Sequence, residues 1–469
     1  MGLLGDTFGI MGGLARGATS ASLWTCNMIF TGLQNAKTKK QVKEIYQRAY
    51  EANLANRAVA VLPETDKQQL LLTSGEPDDN DVYVLDTKSN TAALDHIWGE
   101  DGSLDSVVIT GGRNNDRVCA LLPFVRKTQI EDKPVIVLHT GNSELETMVQ
   151  DEDNSRDYEF ISGTACYYDV FRGMPTDDIA YLLYETMPKD SASPAAESLM
   201  RALIEVLLIT EGKITLHNLA AFPLISLKKK IDELNNNGQL TGDEYDEINN
   251  YCMAGSSETA SVRIFLNNVN RQFEAVYGKT YSKSSNIKRM LNQNGVIAIN
   301  VGNSGNDLLT ELVLNHLQLL QSQGRDFALL LDNIPISKYE KISDLIRGHQ
   351  YAISSQDFVS SLCGGERKSE ELFSEIMGNV NTTVVFRHSS GLSCQKWSDY
   401  FGKYHKIRIR YSIAQNDAFM NTSNSRGLTV DETDEPRISE QTIKQLSGGL
   451  ACIHIIDYIL IAEVKYPNN

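Results

Sequence analysis

Ser106-Val107-Val108-Ile109-Thr110-Gly111-Gly112-Arg113-Asn114-Asn115-Asp116-Arg117-Val118 decides how the rest of the chain is read. Four of its first five residues are β-branched and suit a pleated strand. Gly111-Gly112 then punctuates the strand, and a helical pattern runs on through Leu122. Working outward, a second strand is expected over 134–140, and β-branched runs recur at 296–301, 327–331, 351–353, 382–386 and 407–411. Amphipathic helices, such as 308–323 and 338–348, separate them. Continuous apolar strands alternating with helices predict an α/β fold, a parallel sheet covered by helices on both faces.

The gap between the second and third strands is long, and 189–290 fills it with helical signals. Ser193-Pro194 with Glu197 opens one helix, and 227–235, 243–254 and 261–277 supply others. Since so long a loop would not stay structureless, the expectation is an all-α insertion. The sequence thus divides into an N-terminal helical segment (1–55), a small β-rich prelude (56–105), an α/β domain (106–188 and 291–469) and the insertion (189–290). The polar, acidic stretch 421–436 reads as a loop.

With 469 residues, 41% hydrophobic and 22% charged, the composition is that of a globular chain too long for one core. The 33 glycines and 11 prolines are too few for a collagen-like or wholly disordered class. A net charge of −16 repels phosphate backbones on average, which leaves nucleic acid only a local basic channel. Seven cysteines without a CxxC pair argue against a disulfide framework or structural zinc and fit a reducing cytosol. Residues 17–36 carry no charge, but Thr19, Ser20, Ser22, Thr25 and Asn27 interrupt the run. A spanning helix needs about 20 predominantly apolar residues. A surface-lying or partner-binding helix is expected instead, on a cytoplasmic chain peripheral to the membrane at most.

Gly111 occupies the place where a phosphate loop, G-x-x-x-x-G-K-[ST], would begin. In that loop glycines free the backbone to wrap phosphates, the lysine reaches the β- and γ-phosphates, and the hydroxyl holds magnesium. Here the second glycine is Asp116, the lysine Arg117 and the hydroxyl residue Val118. Asp116 sets a carboxylate where an anion should approach, Val118 cannot ligate magnesium, and Arg117 keeps the charge in a longer, planar head. The run Ala328-Leu329-Leu330-Leu331-Asp332-Asn333 has the form of the acidic strand expected beside such a loop. Its follower is Asn333, which can orient water but cannot accept a proton. A general base is worth typically ~10²–10⁴ in rate, so hydrolysis should be close to nil. The same residues also read as a strand–turn–helix junction and an Asp-Asn turn with no ligand.

In order and texture the chain resembles the motor domains of type IV secretion coupling proteins, TraG/TraD-like members of the HerA/FtsK group of RecA-like ATPases. VVITGGRNNDRVCALLPFV (107–125) is similar to that family's strand, phosphate loop and following helix. The helical block sits where the family inserts an all-α domain, and 327–333 resembles its acidic motif. Ser354-Ser355-Gln356 resembles its glutamine-containing segment, and 379–386 with 393–402 its closing strand and helix.

The resemblance implies a RecA-like P-loop fold. It implies ATP or ADP at Gly111, Gly112, Asn115 and Arg117, and roles for Asp332 in hydrolysis and for Gln356 in sensing the γ-phosphate between subunits. Asp116, Val118 and Asn333 depart from the pattern and put hydrolysis and magnesium in doubt. The expected function is therefore a degenerate, non-hydrolysing scaffold or recruitment subunit, homo- or hetero-oligomeric, among the protein partners of a conjugation or secretion-like machine. An active DNA or protein translocase, a nucleotide-gated assembly switch and an unrelated α/β protein stay open beside it.

Other residues read as structural. His139 and His388 lie at strand ends without a second ligand at metal spacing. Ser304 lacks the G-x-S-x-G setting. Glu144 and Glu146 open a helix, and Lys228-Lys229-Lys230 is a solvated helix face.

Overall fold

The computed structural model describes residues 39–57, 70–72, 85–87 and 106–464, apart from 153–154, 164–165, 280–282, 304, 366, 419–420, 448 and 456–457. Residues 17–36, read above as a helix, and most of the β-rich prelude 56–105 lie outside that set. The strands, in chain order, are β1 (Leu70–Leu72), β2 (Leu85–Thr87), β3 (Ser106–Thr110), β4 (Val135–His139), β5 (Tyr158–Ile161), β6 (Val296–Asn300), β7 (Ala328–Asp332), β8 (Tyr351–Ser355), β9 (Val380–Val385), β10 (Lys403–Ala418), β11 (Asn421–Pro436), β12 (Leu450–Ile455) and β13 (Tyr458–Glu463).

Eleven of them form one sheet in the order β1-β2-β13-β12-β9-β3-β8-β7-β4-β6-β5. From β9 to β5 every pairing is parallel. β12 adds antiparallel to β9, and β13 antiparallel to β12. The central parallel strands β4, β7 and β8 are buried on both faces. In β4, Ile136 and Leu138 belong to one core and Val135 and Val137 to the other; β7 alternates in the same way. Side chains two residues apart share a face, so a strand must be apolar throughout to bury both sides. That is why these runs were continuous in sequence.

On one face lie the helices Asn114–Ile130 and Ser143–Glu152, whose Val118, Leu121, Val125, Leu145 and Val149 pack on the sheet. The other face carries the helices between β5 and β6, from Thr176–Thr186 to Ile287–Asn292, together with Asp307–Ser322 and Glu340–Gly348. The inserted helices share one continuous apolar core with the sheet, with Leu203, Leu266 and Phe273 in the same cluster as Ile297 and Leu312. Ser193 caps Pro194–Glu211 by accepting from the Ala196 N–H at 3.1 Å, and Gly212 ends it at φ +66°. No helix among the described residues is long and apolar enough to cross a membrane.

Two expectations need correction. The run 407–411 belongs to β10, outside the parallel sheet, and 421–436 is no loop but its partner β11. The two strands pair over sixteen positions as a separate antiparallel ribbon. The acidic texture that suggested a loop is one side of a charge ladder: Glu435 pairs with Lys406 at 3.1 Å and with Arg408, and Asp434 pairs with His405. Cross-strand ion pairs of this kind suit a solvent-facing ribbon. The helix Lys39–Arg57 lies along it, with Ile45 and Ala49 against Ile407. Asn53 accepts the Ile407 N–H at 2.7 Å and donates to its carbonyl at 2.9 Å, as a neighbouring strand would. β5 and the helix Thr176–Thr186 had no sequence expectation.

One carboxylate in the helix layer should set a pH dependence. Glu311 sits half-buried on Asp307–Ser322, and burial pushes its carboxyl up from 4.5 to about 7; Lys341 and Lys189 oppose the rise, while Glu340 and Asp307 add to it. Between those two values the native state holds a proton that the unfolded state has lost, so stability falls as pH rises through the window. Glu311→Gln should flatten that slope and exceed the wild type at pH 8 by ~2 kcal/mol. Denaturation midpoints of both proteins from pH 4.5 to 8 check this, and parallel curves would refute it.

Candidate functional site

The carboxyl ends of β3, β8, β7 and β4 meet at one edge of the sheet, where open parallel sheets place their ligand sites. β8 lies between β3 and β7, so the acidic strand is one strand removed from the Gly111 loop. The sequence expectation had put them side by side.

The loop is short. β3 ends at Thr110 and the next helix starts at Asn114, so only Gly111, Gly112 and Arg113 connect them. Both glycines are left-handed, at φ +81° and +63°. Their N–H groups donate to neighbouring strand exits, Gly111 to the Ser355 carbonyl at 3.1 Å and Gly112 to the Arg387 carbonyl at 3.0 Å. The Arg113 N–H donates to Asp116 Oδ2 at 3.0 Å, so Asp116 caps its own helix start. Asn115 is exposed in the first turn. Val118 is fully buried in the core.

Arg117 is turned back on this loop and only 5% exposed. One terminal nitrogen donates to the Gly111 and Gly112 carbonyls at 3.2 and 3.3 Å, and the other to Asn114 Oδ1 at 3.4 Å. Its Nε is buried without a hydrogen-bond partner. Burial lowers the guanidinium from its usual value, and Asp332, Asp116 and Glu144 oppose that shift.

Asp332 is wholly buried at the end of β7. It accepts from Ser354 Oγ at 2.7 Å, Asn142 Nδ2 at 2.8 Å and Asn333 Nδ2 at 3.2 Å. Asn142 follows β4 and forms a reciprocal amide pair with Asn114, at 3.0 and 2.9 Å. Asn114 also donates to Glu144 at 2.5 Å. A polar chain therefore runs from Arg117 through Asn114 and Asn142 to Asp332. The amide pair escaped the sequence reading; the only trace of it there was a turn, Gly141-Asn142, at a strand end.

Asn333, read as a lost base, has a positive role in the fold. It adopts φ +55°, which asparagine tolerates better than a longer acid does. Its N–H donates to the Ser354 carbonyl and its Oδ1 accepts from the Gln356 N–H at 3.0 Å, tying the β7 and β8 exits together. Gln356 itself is exposed. The two histidines are buried. His139 Nδ1 accepts the Asn142 N–H, its Nε2 lies 3.0 Å from Glu146, and His388 Nε2 is 3.3 Å from Thr110 Oγ1. Among the described residues no three His, Cys, Asp or Glu side chains stand where they would share a metal ion.

No protein-family model and no curated protein matches the sequence. Solved structures do. A bacterial conjugative coupling protein, TrwBΔN70 in its unbound monoclinic form, aligns at a TM-score of 0.52 and 12% identity, over 87% of this chain and 92% of that one. The chain has the fold of a conjugative coupling protein. The plasmid coupling protein TrwB in complex with a non-hydrolysable ATP analogue aligns at 0.50 and 12% identity, over 87% of this chain and 94% of that one. Identity this low carries the coupling-protein fold and nothing finer. The α/β fold with a parallel sheet, expected from the sequence, agrees with both alignments, each of which covers 87% of this chain.

Proposed function

We propose that the chain is a coupling-protein-like component of a conjugation or type IV secretion-like machine, a scaffold or recruitment subunit that offers its surfaces to protein partners and does not hydrolyse ATP. The observation that carries the reading is the Gly111–Val118 junction. A phosphate loop holds its anion on free backbone N–H groups ahead of the helix. Here the helix winds from Asn114, both glycine N–H groups are taken, and the Arg117 guanidinium lies inside the turn.

The residues present do not fit a magnesium-bound nucleotide. Val118 is buried carbon where a hydroxyl ligand would stand, and Asp116 faces the turn with a negative charge. Asn333 offers no base, and its geometry serves the strand exits. On this reading Gly111, Gly112, Arg117 and Asp332 are fold-bearing residues of a former site, and Asn115 and Gln356 are exposed residues at its rim. Calorimetry with ATP and ADP, with and without magnesium, is expected to give no binding heat at millimolar nucleotide. Saturable heat that disappears in Arg117→Ala would sink the reading, and magnesium-dependent turnover would turn it into that of a motor.

A further inference from the structure

We infer that Arg117 is a built-in counter-charge for the buried Asp332, so that the carboxyl edge of the sheet is electrically complete with nothing bound. This rests on the non-nucleotide reading of the same site and says how that edge balances its buried acid. Asp332 is wholly enclosed, and its direct partners are neutral donors, Ser354, Asn142 and Asn333. A buried carboxylate without a nearby positive charge is expensive. Arg117, itself 5% exposed, supplies that charge through the Asn114–Asn142 pair, and its fork is held by the Gly111 and Gly112 carbonyls. Asp116 and Glu144 share the guanidinium's field but are partly or fully exposed, and water can screen them.

A planar guanidinium suits this place better than an ammonium. One terminal nitrogen of the fork reaches two carbonyls and the other an amide oxygen, a spread that the single nitrogen of an ammonium does not match. While the fork holds the Gly111 and Gly112 carbonyls, both glycine N–H groups donate to neighbouring strand exits, so the glycine turn has no free backbone donor to offer an anion. The site is thus self-occupied and needs no cofactor to hold its fold.

A double-substitution cycle on the full chain tests this, read as thermal midpoints without nucleotide. Arg117→Met should strand Asp332, and Asp332→Asn should strand Arg117; each should lower the midpoint by several degrees. The double variant should lose clearly less than the two losses added, because neither charge is then left alone. Millimolar methylguanidinium should raise the midpoint of Arg117→Ala, while equal sodium chloride should not, and the wild type should respond to neither. If Arg117→Ala does not fold, the cycle with Arg117→Met still decides. Additive losses would overturn the inference, and so would a soluble Arg117→Ala indifferent to methylguanidinium. Either result leaves the calorimetric test of the proposed function untouched, and nucleotide binding by the wild type would overturn that reading without deciding whether the two losses add.

Discussion

Gly111→Ala is expected to cost about 3 kcal/mol or more, from two separable causes. Holding alanine in the left-handed region costs roughly 1–2 kcal/mol. The added methyl would also lie 2.8 Å from the carbonyl oxygens of both Phe386 and Arg387 and 3.0 Å from His388 Nε2. Those carbonyls are backbone at the exit of β9, and the Phe386 N–H already donates to Thr110 at 2.8 Å, so they cannot step aside without loosening β3 from β9. Gly141 supplies the control. It has nearly the same φ, +82°, with nothing within 4 Å of the added carbon. Gly141→Ala should therefore show the conformational cost alone, about a third to a half of the Gly111→Ala loss. Chemical denaturation of the three proteins checks this, and equal losses would mean that the close approach at Gly111 contributes nothing.

The same comparison shows what the sequence could and could not disclose. Gly-Gly after an apolar strand announced a turn into a helix, and the order of runs from 106 to 386 announced the parallel sheet. Both signals are local, set by burial on two faces and by φ. What the Gly111 loop does with its charges is not local. Arg117 reads as a substituted lysine until Asn114, Asn142 and Asp332, the last 215 positions away, are brought to the same edge. The antiparallel ribbon was misread for a related reason. In 421–436 the acids look like a solvated loop, and only the register with β10 reveals the basic partners opposite them. Asn333 shows the reverse case. A substitution that looks like loss by motif is a gain by geometry, because it fits φ +55° and joins two strand exits.

Trp397→Ala should produce the largest loss of all, about 3–5 kcal/mol as for other large aromatic truncations in cores. The side chain is fully buried on the helix Gly391–Phe401 and packs edge-on to Tyr400 and Phe373, with centroids 5.5 and 5.7 Å away, and beside Phe358 at 6.0 Å. Its indole N–H has no hydrogen-bond partner, so the contribution is volume and aromatic contact. Trp397→Phe, which keeps most of both, should cost less than about 1.5 kcal/mol. The loss should also reach the candidate site. Phe358 follows the β8 exit, its N–H donates to Thr110 Oγ1 at 3.0 Å, and the neighbouring Asp357 accepts from Ser393 at 2.8 Å, on the same helix as Trp397. The tryptophan thus wedges the helix against the turn that seats the end of β3. Amide exchange at 111–113 and 356–358 should accelerate in Trp397→Ala under conditions where the rest of the sheet stays protected. Uniform acceleration across all strands would mean that the ring supports the core as a whole and holds this edge no more than any other.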